Sequence, residues 1–208
     1  MTKRFFDLVL SIFALVLMLP VWLILLIILR VESAAPVLTR SHRVGKNGRM
    51  VKAWEFRSAL AEPDAMETVG GCHGEQVTRV GAILRRSGIA RWPLLLNVIR
   101  GDFSLVGPRA ELPRYVGCYP TDVRKSVLSI KPGLFDLASV SFRQETQLLA
   151  GLQGDDLEEC YVEKILPVRL EYAQRYVEQH NTRLDFSILV NSLLGGFQRE
   201  VTKKIATP

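Results

Sequence analysis

The chain has 208 residues, with 27 Lys and Arg against 21 Asp and Glu, for a formal net charge of +6. That length suits one compact module plus an anchor better than two independent domains, and the positive balance favours anionic partners such as lipid headgroups, phosphates or nucleic acid. Nucleic acid is set aside because the basic residues are scattered and carry no DNA- or RNA-binding motif, and three widely spaced cysteines (Cys72, Cys118 and Cys160) exclude a disulfide framework or a zinc site.

The chain opens on an apolar run from Phe5 to Leu29, with Lys3 and Arg4 before it and Arg30 after it. About 20 apolar residues suffice to cross a bilayer, so the run is a membrane segment. It is too long for a signal-peptide core and lacks a small-residue cleavage pattern. Pro20 lies near its centre, where the missing N–H kinks or breaks a helix. Asp7, near the start, suits the interface better than the bilayer centre. Two geometries are open to it: a re-entrant helix-break-helix that returns to its own side, or a kinked span. Arg30, Arg40, His42, Arg43, Lys46, Arg49 and Lys52 place the chain beyond the run in the cytoplasm. The expected organisation is an anchor over residues 1–32 and a cytoplasmic domain over 33–208.

In that domain, APVLTRSHRVGKNGRMVKAWEF predicts two strands around a turn at Lys46-Asn47-Gly48, since Asn-Gly supplies the positive φ angles of tight turns. From Ala59 to Glu75 the residues lack periodicity and predict a surface loop, in which Cys72-His73 is a loop pair rather than a ligand set. QVTRVGAILRRSGIARWPLLLNVIRG carries two helical pieces broken at Ser87-Gly88, with Pro93 in a first turn. A helix near 120–129 stops at Lys131-Pro132-Gly133, and DLASVSFR is strand-like. GDDLEECYVEKILPVRLEYAQRYVEQ is helical around a kink at Pro167, with acids in its first turn. LDFSILVNSLLGGF places Leu184, Ile188, Leu189 and Leu193 on one helical face, either core-packing or interfacial. The class is α+β: the membrane helix, then a mostly helical domain with a small β-hairpin and amphipathic interfacial helices.

These residues resemble the bacterial sugar transferases, small monotopic phosphoglycosyl transferases that move a sugar-1-phosphate from a nucleotide sugar onto polyprenyl phosphate. The likeness begins at KRFFDLVLS and continues through APVLTRSHRVGKNG, the FRS at 56 to 58, TRVGAILRRSG, LLLNVIRGDFSLVGPR, IKPG and DLASVSFRQETQLL, then Glu-Lys-Ile-Leu-Pro, Tyr-Val and Leu-Asp. It implies an enzyme at the cytoplasmic face of the bacterial inner membrane, working in exopolysaccharide or glycan biosynthesis with Mg2+. Its partners would be polyprenyl phosphate, a nucleotide sugar, inner-membrane lipids and other glycan-assembly enzymes, but no nucleic acid. Arg57, Arg85, Arg109, Lys131 and Arg143 align with the family's basic residues and become the candidates for phosphate and substrate binding. Pro20 aligns with the membrane break, and Asp136, Glu145 and Glu163 match one branch, as polar scaffold or metal contacts.

The family's Asp-Glu catalytic dyad corresponds here to Ala90 and Arg91. Alanine has no lone pair to attack phosphorus or to hold the metal. Arginine stays protonated and can bind phosphate but cannot act as a base. Glu55, Leu19 and Leu94 are further departures from the family pattern, and Mg2+ use is in question with the dyad gone. Asp102, the nearest acid, is a weak candidate nucleophile in a Gly-Asp turn. Two functions stand: a transferase with a rearranged nucleophile or direct transfer between bound substrates, and a non-catalytic relative that binds polyprenyl phosphate, nucleotide sugar or an active partner as scaffold or regulator.

Overall fold

The computed structural model describes residues 2–32, 35–60, 67–68, 71–72, 76–141 and 154–194. The chain divides into two compact units, Met1–Arg43 with Met50–Phe103, and Val44–Arg49 with Ser104–Pro208.

The first unit contains helix α1 (Thr2–Glu32), most of the hairpin formed by β1 (Leu38–Val44) and β2 (Met50–Phe56), four two-residue strands, and helices α2 (Arg79–Ser87) and α3 (Leu94–Arg100). α1 is one helical element with Pro20 inside it, not two helices on either side of a non-helical break. Proline removes one hydrogen bond from the ladder, and in an otherwise strongly helical apolar run the remaining bonds carry the helix through. The helix is long and apolar enough to cross a membrane, with a mean hydropathy of 3.2.

One stripe of α1 faces protein. Asp7, Ser11 and Leu29 are buried, and Trp22, Leu25 and Leu26 pack against a cluster of Leu29, Phe56, Leu84 and Ala90. The rest faces outward: fifteen large apolar residues of this helix, from Phe5 to Val31, are exposed. At roughly 1 kcal/mol for each half-exposed side chain the cost in water is on the order of 15 kcal/mol, as large as the whole net stability of a domain. This surface therefore needs an apolar cover.

The hairpin turns where expected, with Asn47 at φ 57° and Gly48 at φ 76°. The segment read as a surface loop is more ordered than that in its described residues. β3 (Ala59–Leu60) pairs antiparallel with β6 (Gln76–Val77), and β4 (Glu67–Thr68) with β5 (Gly71–Cys72). Strands of two residues are too short to show a period of two, which hides this nested ladder from sequence patterning. α2 begins with Thr78 capping the Gly81 N–H at 2.9 Å, and ends at Gly88 in the left-handed region. A 3-10 turn over Ile89–Arg91 then leads through Pro93 into α3, so the two helical pieces and their break are where the sequence placed them.

The second unit is built around a parallel pair, β7 (Ser104–Val106) and β8 (Gly133–Phe135), joined through α4 (Pro113–Gly117) and α5 (Thr121–Val127). Gly107 and Gly133 let these strands approach: a methyl on either would collide with the other's backbone. The described part of DLASVSFR, residues 136–141, is not a strand. β8 ends before it, and Leu137–Ser141 is a short helix, α6, because Asp136 accepts the Ser139 N–H at 2.8 Å and its hydroxyl at 2.6 Å, a cap that overrides the alternating pattern.

Helices α7 (Gly154–Cys160) and α8 (Leu166–Gln179) meet at a π-helical turn, Tyr161–Ile165, just before Pro167. The expected distortion is thus a widened turn that absorbs the missing N–H. α9 (Thr182–Leu194) buries Ile188 and Asn191 and half-buries Leu184 and Leu189, and it packs on α6, β7 and β8, which favours the core-packing alternative for this face. The side chain of Leu193 lies outside the described residues, as do His73, Arg143 and Glu145.

Candidate functional site

The described candidate cations fall into two sets, one in each unit. In the first, Arg57 directly follows β2 and is 4% exposed. Its Nη2 donates to the Leu29 carbonyl near the end of α1 at 2.8 Å, while Nε and Nη1 are buried without a hydrogen-bond partner among the described residues. The indole Nε1 of Trp22, whose ring sits edge-on to Phe56 at 5.2 Å, is also a buried donor without a partner among the described residues. Unmatched donors are costly in a protein interior, and these are donors only. The arrangement selects for an acceptor-rich, negatively charged group.

Ser58 follows Arg57 and accepts from Arg85 Nε at 2.6 Å, so both predicted arginines of this unit converge on one short stretch of chain. Gly81 is required there, because any Cβ would fall on the Ser58 carbonyl. The dyad positions lie nearby in the sequence and differ in surroundings. Ala90 is 7% exposed and belongs to the Leu29, Phe56 and Leu84 cluster, while Arg91 is half-buried. Asp102 is exposed in the turn after α3, with its N–H donated to the Asn97 carbonyl at 3.0 Å.

Among the described residues no three Asp, Glu, His or Cys side chains converge as a metal site. Both oxygens of Asp136 are engaged by Ser139, and Glu163 is exposed. A divalent cation at the dyad positions needs oxygen donors, and Ala90 and Arg91 supply none. The donor set does not fit the Mg2+ that the family likeness implies.

In the second unit the parallel pairing brings Gly107-Pro108-Arg109 alongside Lys131-Pro132-Gly133: the Gly133 N–H donates to the Pro108 carbonyl at 2.8 Å, and Arg109 bridges to Gly133. Arg109 and Arg169 both approach the carboxylate of Glu111, at 3.6 and 3.9 Å, and Tyr161 donates its hydroxyl to the same carboxylate at 2.8 Å. Arg169 and burial both press the Arg109 pKa down, Glu111, Tyr161 and Asp136 oppose them, and the net shift is upward. Burial first, then the charge of Glu111, raises the hydroxyls of Tyr119 and Tyr161 above the ordinary tyrosine value.

A small, shallow cleft opens beside this network, lined by Arg109, Asp136, Arg169, Tyr172 and Tyr176 among others. Sequence reasoning found Arg109 and Asp136 but missed Glu111 and Arg169. Glu111 lies two residues after Arg109, but nothing local marks it as the meeting point of the network. Arg169, inside a charged amphipathic helix, reads like any solvated cation.

The profile of the family described as bacterial sugar transferase matches residues 1–199. The chain is 30% identical over 199 residues to the UDP-glucose:undecaprenyl-phosphate glucose-1-phosphate transferase of Escherichia coli (strain K12), covering 94% of this chain and 40% of that protein. It is 34% identical over 150 residues to the protein of the same description from Caulobacter vibrioides, covering 66% of this chain and 53% of the relative. A UDP-N-acetylgalactosamine-undecaprenyl-phosphate N-acetylgalactosaminephosphotransferase of Aeromonas hydrophila is 30% identical over 141 residues, covering 66% and 33%. In each case the chain spans less than two thirds of the relative's length.

Proposed function

Since the chain belongs to the bacterial sugar transferase family, we propose that it works at the cytoplasmic face of the inner membrane, moving a sugar-1-phosphate from a nucleotide sugar to polyprenyl phosphate. The observation that carries this reading is the buried Arg57 guanidinium, two of whose nitrogens have no hydrogen-bond partner among the described residues, beside the apolar helix α1. A phosphate held there accepts the bonds that the protein leaves open, and its lipid tail continues along the exposed apolar surface of α1.

The ends of α1 support a helix that does not cross. Arg4 donates to the carbonyls of Val98 and Ile99 at the end of α3, while at the other end Leu29 receives Arg57 and Glu32 accepts the Val80 N–H. If the two ends stood on opposite sides of a hydrocarbon layer about 30 Å thick, β2 and α3 would have to cross with them, carrying Lys52, Glu55, Asn97 and Arg100. Charged groups at that depth are too costly. We read the anchor as entering and leaving on one side, with the helix bent at Pro20.

With alanine at the nucleophile position, the step that balances is direct displacement. A phosphate oxygen of the polyprenyl phosphate attacks the sugar-linked phosphorus, the phosphoanhydride bond breaks, and the nucleoside monophosphate leaves with the bridging oxygen and its electron pair. Arg57 and Arg85 neutralise and orient the phosphorylated substrates, which is positioning and electrostatic catalysis.

A second reading, binding without transfer, is favoured by one observation: Ala90 is packed among Leu29, Phe56 and Leu84 rather than facing a polar cavity. Incubating the purified full chain with polyprenyl phosphate and radiolabelled nucleotide sugars separates the two. Label in the lipid fraction, together with released nucleoside monophosphate, supports transfer. Absence of label with any nucleotide sugar, alongside saturable binding of polyprenyl phosphate, selects the binder.

A further inference from the structure

We propose that Arg40, Trp54 and Arg100 form a docking surface for anionic bilayer lipids at the N-terminal end of α1; this rests on the reading of α1 as a membrane anchor. The placement comes from hydrogen bonds within the first unit. Arg4, in the first turn of α1, donates to the carbonyls of Val98 and Ile99, so the last turn of α3, which ends in Arg100, lies against the start of the apolar helix. Asn97, one turn earlier, locks β2 to the same place. Its Oδ1 accepts the Trp54 N–H at 3.0 Å, and its Nδ2 donates to the Lys52 carbonyl at 2.8 Å.

Trp54 then carries two cations. The guanidinium carbon of Arg40 stands 4.0 Å from the ring centroid and that of Arg100 5.7 Å. Both arginines are exposed, and among the described residues neither has a carboxylate within ion-pairing distance, whereas the neighbouring Glu55 is engaged by Arg43 at 3.9 Å. A guanidinium stacked on an aromatic ring keeps its N–H edge outward, in the geometry that takes phosphate oxygens in pairs.

The surroundings choose the occupant. Phe5, Phe6 and Leu10 are exposed in the first turns of α1, so this end of the helix sits where acyl chains meet headgroups. Tryptophan favours that level, and Arg and Lys favour the anionic lipids found there. With Lys52 also exposed two residues before Trp54, three cations stand at this end of the unit, an arrangement that suits a layer of headgroups better than one enclosed phosphate.

The test uses the full chain in lipid discs of neutral choline lipid containing a trace of spin-labelled phosphatidylglycerol or phosphatidylcholine. The expected result is a roughly 25-fold higher association of the anionic probe, falling about fivefold for each arginine neutralised. The Arg40→Gln/Arg100→Gln pair should lose the preference, and Arg40→Lys/Arg100→Lys should keep most of it. Equal association of the two probes with the wild type overturns the proposal, as does a preference that survives the Gln pair or one abolished by millimolar inorganic phosphate. A chain that does not enter discs at all removes the membrane reading and this surface with it; one that enters but shows no lipid preference removes the surface alone.

Discussion

At Arg57 a structural role and a ligand-binding role predict opposite signs. A buried guanidinium with two unmatched nitrogens costs stability in the absence of ligand. Arg57→Met should therefore leave the thermal midpoint of the ligand-free protein no lower than that of the wild type. Binding of nucleotide sugar or polyprenyl phosphate should weaken at least tenfold, since a charge-assisted bond contributes about 1.5–3 kcal/mol. A lower midpoint with unchanged binding would make Arg57 a strut for the end of α1. Ala90 gives a contrasting case: a carboxylate placed in the Leu29, Phe56 and Leu84 cluster has no partner there, so Ala90→Asp alone should cost about 3 kcal/mol in a denaturation experiment. An unchanged midpoint would mean that this position reaches solvent. The residues legible in advance were those with a local signature, such as Asn47 and Gly48 in their turn and Arg109 after Gly-Pro. That Arg57 is buried and that Glu111 gathers Arg109, Arg169 and Tyr161 depend on contacts across the sequence, which no local pattern carries.

Among the elements, α2 shows how a short helix can set a site. It is fixed at its start by the Thr78 cap and by the contact of Gly81 with the Ser58 carbonyl, and near its end it returns Arg85 to Ser58. Gly81→Ala should push α2 off this strand, lowering the thermal midpoint and weakening anion binding together. Thr78→Ala should cost only about 1 kcal/mol and leave binding intact. If Gly81→Ala is as mild as the cap variant, α2 does not set the position of Arg85. The helices, the hairpin and the distortion before Pro167 came from periodicity, capping residues and proline chemistry. The ladder between Ala59 and Val77 did not, since its strands are too short for a period, and the α6 helix was missed because one side chain, Asp136, decides it.

For the whole molecule, pH and membrane geometry give separate readouts. Tyr119 and Tyr161 hold their protons more tightly when folded than the ordinary tyrosine value near 10. Above pH 10 the unfolded chain releases these protons and the folded chain does not, so stability present below that pH falls as pH rises, by up to about 1.4 kcal/mol per unit for each tyrosine. The midpoint in denaturant should drop between pH 10 and 11, and Tyr161→Phe should flatten that slope; a flat profile in the wild type would contradict the buried network. Single cysteines at Thr2 and Glu32, in a background without native cysteines, should both react with a membrane-impermeant maleimide from the same side. Whether the positive charge beside α1 holds a phosphorylated lipid is read from equilibrium binding of radiolabelled polyprenyl phosphate to the full chain in lipid discs. Saturable binding is expected, displaced by unlabelled polyprenyl phosphate but not by free polyprenol, and weakened at least tenfold by Arg57→Met; binding that is absent, or equal for the phosphate and the alcohol, would overturn this role of the arginines.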